Sequence, residues 1–408
     1  MNIERVTVDV LETPVESAYT AAGNQVSSNF HVLARIFTDD GMQGIGFDVV
    51  LRPTLVKSMA QTCQELGQLL VGMNVLEIEA ARAKLERASG WAGPGGLVNM
   101  AIAPLDIAMW DAKGKVLGQP LYRLLAGHKD GARVYASDAL WYSLPLDDLA
   151  RSAQDHVALG YNMVKLRLGH EAKPEGEVQR VKAVQEAVGP EVQVMVDATE
   201  SWNEGQAVAS GRALQEAGIV WLEDPMSHQN LSGLAHLTDV LDVPIAAGEH
   251  LFGLDPFQKT FEAGAVDIAI MDLARVGGIT TWMKIAALAE ARGIPVAGHV
   301  IPEAHVHLLA AAPTGYLVEY MPRSVPILNS ELRLEDGYLV APDAPGLGVE
   351  LNEAACEKYR VQSRRKTGVP SKSGRRFFRR YWTRYFSQAA SFSSTPSPGA
   401  SGATRYPS

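Results

Sequence analysis

The sequence predicts an α/β protein: a (β/α) barrel, a modified TIM barrel, joined to an α+β N-terminal capping domain that the C-terminal segment completes. Three observations predict it. From about Val134 a unit recurs, in which a short apolar run ends on a polar residue and a helix-like segment follows. The runs are RVYASD, NMVKLRLG, VQVMVDA, GIVWLEDP, VPIAAGEH, VDIAIMD, IPVAGH and GYLVEY, and eight βα units close a barrel. The first third lacks this unit and reads as alternating strands followed by helices. Residues 326–360 return to short strand and turn signals. An open doubly wound sheet is the alternative for the middle, but no G-x-G-x-x-G follows a strand, so dinucleotide binding has no support.

The elements follow in order. VTVDVLETP and HVLARIFTD alternate like strands, and DDGMQGIGF supplies a turn between strand-like pieces. Residues 17–30, small and polar in AAGNQVSSNFH, have the composition of a mobile lid. Residues 53–90 read helical. GWAGPGG precedes a long helical pattern, NMAIAPLDIAMWDAKGKVLG, in which Pro104 should lie near the start or make a kink. Residues 1–130 therefore form the capping domain, 131–325 the barrel and 326–360 a return to the first domain. Residues 361–408 are a basic, Ser/Pro-rich tail whose composition does not bury a core.

Composition bounds the function. The 408 residues carry a formal charge of −9, yet from Lys358 onward there are 12 Lys/Arg and no acid, which leaves −21 for the rest. Nothing in that balance argues for nucleic acid. Only Cys63 and Cys356 occur, so a disulfide framework is excluded and a reducing, cytoplasmic setting is expected. The start MNIERVTVDVLETP lacks the apolar centre of a signal peptide, and no run of about 18 apolar residues offers a membrane span.

The chemistry is carried by where the polar residues fall. Asp197 ends MVD, Glu223 ends WLE, Glu249 ends AAGE, Asp272 ends IMD, His299 ends AGH, and Glu319 sits in LVEY, at intervals of 26, 26, 23, 27 and 20 residues. The C-terminal ends of barrel strands meet on one face, so five carboxylates and one histidine converge. Lys165 and Arg167, two apart in VKLRLG, point to the same side, into the mouth. Three crowded carboxylates repel one another without a cation. Oxygen-only ligands from Asp197, Glu223 and Glu249 suit a hard divalent ion, Mg²⁺ above all, one per subunit. With Lys165 and Arg167 they make a mouth for an anionic substrate, most simply a carboxylate. A strand-end acid is often only a helix N-cap, but a run across consecutive units is not explained that way. His299 falls one unit after Asp272, so neighbouring strands pair them, which fixes the imidazole tautomer and raises its basicity.

DIAMWDAKGKVLGQPLYRLLAG at 106–127, KLR at 165–167, MVDA, WLEDP, GE at 248–249, DLARVGG at 272–278 and GHVIPEAHVHLLAA at 298–311 together resemble the enolase superfamily, and within it the mandelate racemase/muconate lactonizing enzyme family. The resemblance runs from residue 1 to about 360. It implies Mg²⁺ on Asp197, Glu223 and Glu249, and a His299–Asp272 dyad as acid/base. It also implies Lys165 on the substrate carboxylate, with Glu319 hydrogen-bonded to it from the other side, and a symmetric homo-oligomer. The shared step is removal of the proton α to a carboxylate. Two departures matter. The family usually has Lys-x-Lys where this chain has Lys165 and Arg167, and a guanidinium is a poor general base. Thr199 stands where some acid-sugar dehydratases carry a second histidine. Both favour one-sided chemistry, dehydration of an aldonate or aldarate to a 2-keto-3-deoxy acid, over a two-base racemase or epimerase of a 2-hydroxy acid. A non-catalytic carboxylate-binding relative is the third alternative. Ser137 at the end of the first barrel strand, His250 beside Glu249, and Asn24 and His31 of the lid are the expected further substrate contacts. His305 and His307 read as ordinary helix histidines.

Overall fold

A computed structural model describes residues 1–21 and 24–361. Its first sheet is antiparallel, in the order β1 (Ile3–Ala21), β2 (Asn24–Thr38), β3 (Gln43–Val50). The expected lid is therefore no irregular loop. Pairing continues through Tyr19↔Val26 and Thr20↔Gln25 to Ala21↔Asn24, after a register shift between Pro14 and Tyr19. The reason lies in residue type: Val15, Tyr19, Thr20 and Val26 favour strands, whatever the small residues between them suggest. One face of the sheet packs on α1 (Val56–Gln68), α2 (Ile78–Ser89) and α3 (Gly96–Leu117), with Val32, Ile36, Met59, Leu85, Ile102 and Leu105 in its core. Pro104 lies inside α3, well past its first turn. Sheet and helix approach closely there. A Cβ at Gly46 would collide with the Pro104 carbonyl oxygen and with Ala108, so glycine is required.

The barrel consists of β4 (Gly131–Ala136), β5 (Met163–Arg167), β6 (Gln193–Asp197), β7 (Leu222–Glu223), β8 (Ile245–Ala247), β9 (Ile268–Asp272), β10 (Val296–His299) and β11 (Gly315–Tyr320). Neighbours pair in parallel and β11 returns to β4, so the sheet closes. Helices connect the strands on the outside, one of them (Glu204–Glu216) opened by a capping box from Asn203 and Gln206. The barrel interior is filled by Tyr135, Met163, Met195, Trp221, Ala246, Ile268, Ile270, Ala297 and Leu317. Strand alternation then fixes what lies one layer above. Two residues after Met163 comes Lys165, after Met195 Asp197, after Trp221 Glu223, after Ile270 Asp272, after Ala297 His299, and after Leu317 Glu319. The fifth barrel strand, β8, departs from this rhythm. Gly248, with φ 130, redirects the chain so that Glu249 follows Ala246 by three.

The C-terminal segment divides between both parts. The hairpin β12 (Leu334–Glu335) and β13 (Tyr338–Val340) adds antiparallel to β4 of the barrel rather than to the first sheet. Further on, Leu347 N donates to Asp111, Arg360 bridges to Leu11, and Val361 N donates to the Val10 carbonyl at 2.8 Å. No helix among the described residues is long and apolar enough to cross a membrane.

Candidate active site

The charged layer at the C-terminal end of the barrel is held by backbone that is strained at several points. Thr199 and Glu200 follow Asp197, Asp224 follows Glu223, and Val300 and Ile301 follow His299, all with φ between 38 and 58. β-Branched residues rarely adopt that region, and such outliers concentrate at functional sites.

His299 Nδ1 lies 2.7 Å from Asp272 Oδ2, while Nε2 lies 3.1 Å from Glu249 Oε2 and 3.7 Å from Glu319 Oε2. Burial opposes charging of this imidazole, but Glu249, Glu319 and Asp272 outweigh it and raise its pKa. Burial would push Asp272 up, yet Arg275 and His299 hold it well below the usual carboxylate range. On the other side of the mouth, Lys165 Nζ bonds Glu223 Oε1 at 2.5 Å and lies 3.2 Å from Glu319 Oε1, all three fully buried. The two carboxylates overcome burial and raise the ammonium pKa. Trp221 Nε1 donates to the other Glu223 oxygen at 3.1 Å, and Val300 N donates to Glu319 Oε2. Arg167 donates to the Ser137 carbonyl, reaches Glu319 Oε1 at 3.4 Å, and has Nε 3.8 Å from Asp197 Oδ2.

The donor chemistry of Asp197, Glu223 and Glu249 fits a hard divalent cation. All three offer only oxygens. Burial, with the crowding of Asp197, Glu249 and Glu319 against the relief from Lys165, pushes Glu223 up to about 8. Crowded oxygen donors of this kind are what a hard divalent cation takes. Among the described residues, the set whose ligand atoms lie within 4.8 Å of one another is a neighbouring one, Asp224, Glu249 and His250. His250 Nε2 lies 3.4 Å from Asp224 and 3.6 Å from Glu249. The two donor sets share Glu249, whereas Glu223 is turned to Lys165 and Trp221.

The expected substrate contacts fare unequally. Ser137 is fully buried under Arg167. His250 is 29% exposed at the mouth. The Asn24 side chain lies outside the described residues. His31 is fully buried, its Nε2 is 3.0 Å from Thr13 Oγ1, and burial pushes its pKa down to about 3. Its β2 position puts it on the face of Leu33, which packs into the barrel-side core.

Residues without a sequence-based assignment join the site. Arg275 Nη1 donates to the Glu249 carbonyl at 2.6 Å and lies 3.8 Å from both Glu249 and Asp272 carboxylates. Its signal was a cation one turn after a strand-end acid. Asp48 of β3 is buried with Oδ2 unpartnered among the described residues. Burial, reinforced by Asp272, pushes it up to about 7. His228 pairs with Glu200 at 2.7 Å beside His250. Trp141 covers Arg167, with the Cζ 4.3 Å from the ring centroid.

Comparison with known proteins agrees with this architecture. Residues 2–126 match the N-terminal domain of mandelate racemase/muconate lactonizing enzyme, and residues 148–355 match the enolase C-terminal domain-like family. The L-talarate/galactarate dehydratase of Salmonella typhimurium is 33% identical over 368 residues, 90% of each chain. A 3,6-anhydro-alpha-L-galactonate cycloisomerase of Streptomyces coelicolor is 31% identical, covering 86% of this chain and 97% of the relative. A structure of the Salmonella dehydratase liganded with Mg and L-lyxarohydroxamate superposes with a TM-score of 0.84 at 31% identity, over 88% of this chain and 93% of the other. The chain is an enzyme of the enolase superfamily and belongs to its mandelate racemase/muconate lactonizing enzyme family.

Proposed function

We propose that the chain dehydrates a sugar acid, an aldonate or aldarate, to a 2-keto-3-deoxy acid. The observation that carries this is the asymmetry of the mouth. One side presents an imidazole oriented by Asp272, and the other presents Lys165 and a guanidinium that stays protonated. The named relatives that dehydrate talarate, arabinonate, gluconate and xylonate support it.

In this mechanism Asp197, Glu223 and Glu249 would hold Mg²⁺, which would supply positive charge next to the substrate carboxylate. Lys165 binds that carboxylate, and Glu319, in its protonated form, donates a hydrogen bond to it from the opposite side. His299 Nε2 takes the α-proton while Asp272 holds the Nδ1–H tautomer. The electron pair moves toward the carboxylate, then back to form the α,β double bond as the β-hydroxyl leaves. His299 returns its proton to that oxygen, so one water departs on the same face. The resulting enol tautomerises to the ketone. Arg167 stays a cation throughout and neutralises charge without taking a proton.

Proton NMR in D₂O with Mg²⁺ and a panel of sugar acids and 2-hydroxy acids tests this. The expected result is loss of one acid with appearance of 2-keto-3-deoxy signals, together with a rise in melting temperature on Mg²⁺ addition. Exchange of the α-proton without a keto product would replace dehydration by racemisation or epimerisation.

A further inference from the structure

We propose that Trp141 is a positioning residue. Sandwiched between the Tyr19 ring of the β1–β2 hairpin and the Arg167 guanidinium, it makes the cation on the β5 side of the site depend on the hairpin being seated. The proposal rests on Arg167 being part of the substrate-facing machinery.

The three groups form one column. The Tyr19 and Trp141 rings lie 4.1 Å apart, centroid to centroid, with planes 4° from parallel. The opposite partner of Trp141 is the Arg167 guanidinium, 4.3 Å from the indole centroid. Trp141 is 4% exposed and Arg167 7%, so the contact is desolvated, where cation–π attraction is strongest. The backbone fixes both ends. Arg167 N donates to the Leu140 carbonyl at 3.0 Å, tying the segment that carries Trp141 to the end of β5. The register shift between Pro14 and Tyr19 ends at the residue that stacks, and such irregularities re-aim a side chain.

Arginine is the residue this arrangement uses. Its face is taken by the indole, while its edge reaches the Ser137 carbonyl, Glu319 and Asp197. A planar fork fills both roles at once, and a lysine ammonium offers neither a face to stack nor a fork. The column therefore runs without a break from the capping hairpin to two carboxylates of the mouth. A hairpin that lifts away removes one face of the indole, loosens it, and frees the guanidinium to leave Asp197 and Glu319. Because coupling is reciprocal, loss of the guanidinium also loosens the hairpin.

The test is a double-mutant cycle in the full chain with Mg²⁺, scored on whichever acid it turns over. Trp141→Leu and Arg167→Lys should each lower kcat about 30-fold, with Mg²⁺ affinity by calorimetry changed less than about twofold. Trp141→Phe should recover most of the loss, and the double variant should fall no more than about threefold below the poorer single variant. Losses that multiply, or equal losses for Phe and Leu, overturn the proposal. A second arm needs no turnover. Arg167→Lys and Tyr19→Ala should each speed backbone amide exchange of residues 10–21 about tenfold. Unchanged exchange in Arg167→Lys overturns the proposal. Coupled exchange in a chain silent toward every acid supports it, and only the dehydratase assignment then fails.

Discussion

Two layers of the same barrel, two residues apart along each strand, have opposite characters. The lower holds Tyr135, Met163, Met195, Trp221, Ile270, Ala297 and Leu317, an apolar plug that closes the interior. The upper holds Lys165, Asp197, Glu223, Asp272, His299 and Glu319, mostly buried but charged, with Arg167 two residues above Lys165. Burial stabilises the lower layer by roughly 25 cal/mol per Å² of apolar surface. In the upper layer burial is a cost, offset only by mutual pairing and by whatever cation and anion bind there. Stability thus comes from below and chemistry from above. The strands serve both because alternation puts every second residue on the inner face.

The largest separation of the two should come from His299→Asn. If His299 is the acid/base proposed above, turnover should fall about 10⁴-fold without its imidazole. The melting temperature should hold, since the replacement is smaller than the ring and keeps a polar donor. Steady-state kinetics with a parallel thermal scan checks this. Activity within tenfold of the parent would take His299 out of the acid/base role.

Trp221→Ala should do the reverse in its main effect. The indole is fully buried in the plug, and its loss leaves a cavity that costs about 3–5 kcal/mol in urea unfolding. Its Nε1 also holds Glu223, so Mg²⁺ affinity should weaken as well. Trp221→Phe should return most of the stability without returning the bond to Glu223. Equal Mg²⁺ affinity in all three proteins would separate the layers completely.

Much of this is legible in the sequence because parallel strands buried on both faces read as apolar runs, and because their ends meet. The strand-end positions of Asp197, Glu223, Asp272 and His299 need only that rule. What the sequence hides is contributed by distant segments. Asp48 is an acid in a strand of the first sheet, and nothing local says that it comes to face Asp272 and Arg275. Tyr19 lies in a stretch whose small polar residues suggest a loop, yet pairing with Val26 keeps it in a strand and aims it at Trp141. His31 shows the same limit from the other side. A histidine in a polar stretch reads as accessible, while its register opposite Leu11 buries it. The hairpin at 334–340 carries strand signals but no mark of which sheet it joins.

A smaller effect distinguishes two histidines that stand eight residues apart. Carboxylates raise the pKa of His299. His307, on the helix Pro302–Ala311, is pushed down to about 4 by burial. Its surroundings demand the neutral ring: Nδ1 accepts from Tyr122 N at 3.3 Å, and Nε2 donates to the Leu347 carbonyl at 3.0 Å. A proton on Nδ1 would face an N–H. Because the folded pKa lies below the ordinary 6.5, the unfolded chain binds more protons between those values. Stability from this group is therefore complete above about pH 6.5 and is lost as pH falls toward 4. At pH 5 the loss amounts to about 2 kcal/mol. Buried Asp48 and Glu303, each pushed up to about 7 by burial first of all, act with the opposite sign, losing stability as pH rises. The total pH profile mixes the two, so the measurement is a difference. His307→Gln keeps a donor for the Leu347 carbonyl and removes the titration. Its urea stability should therefore drop less than the parent's between pH 7.5 and pH 5, by about 2 kcal/mol. Parallel drops in the two proteins would mean that His307 is protonated in the folded chain at pH 5, with its bond from Tyr122 N already broken.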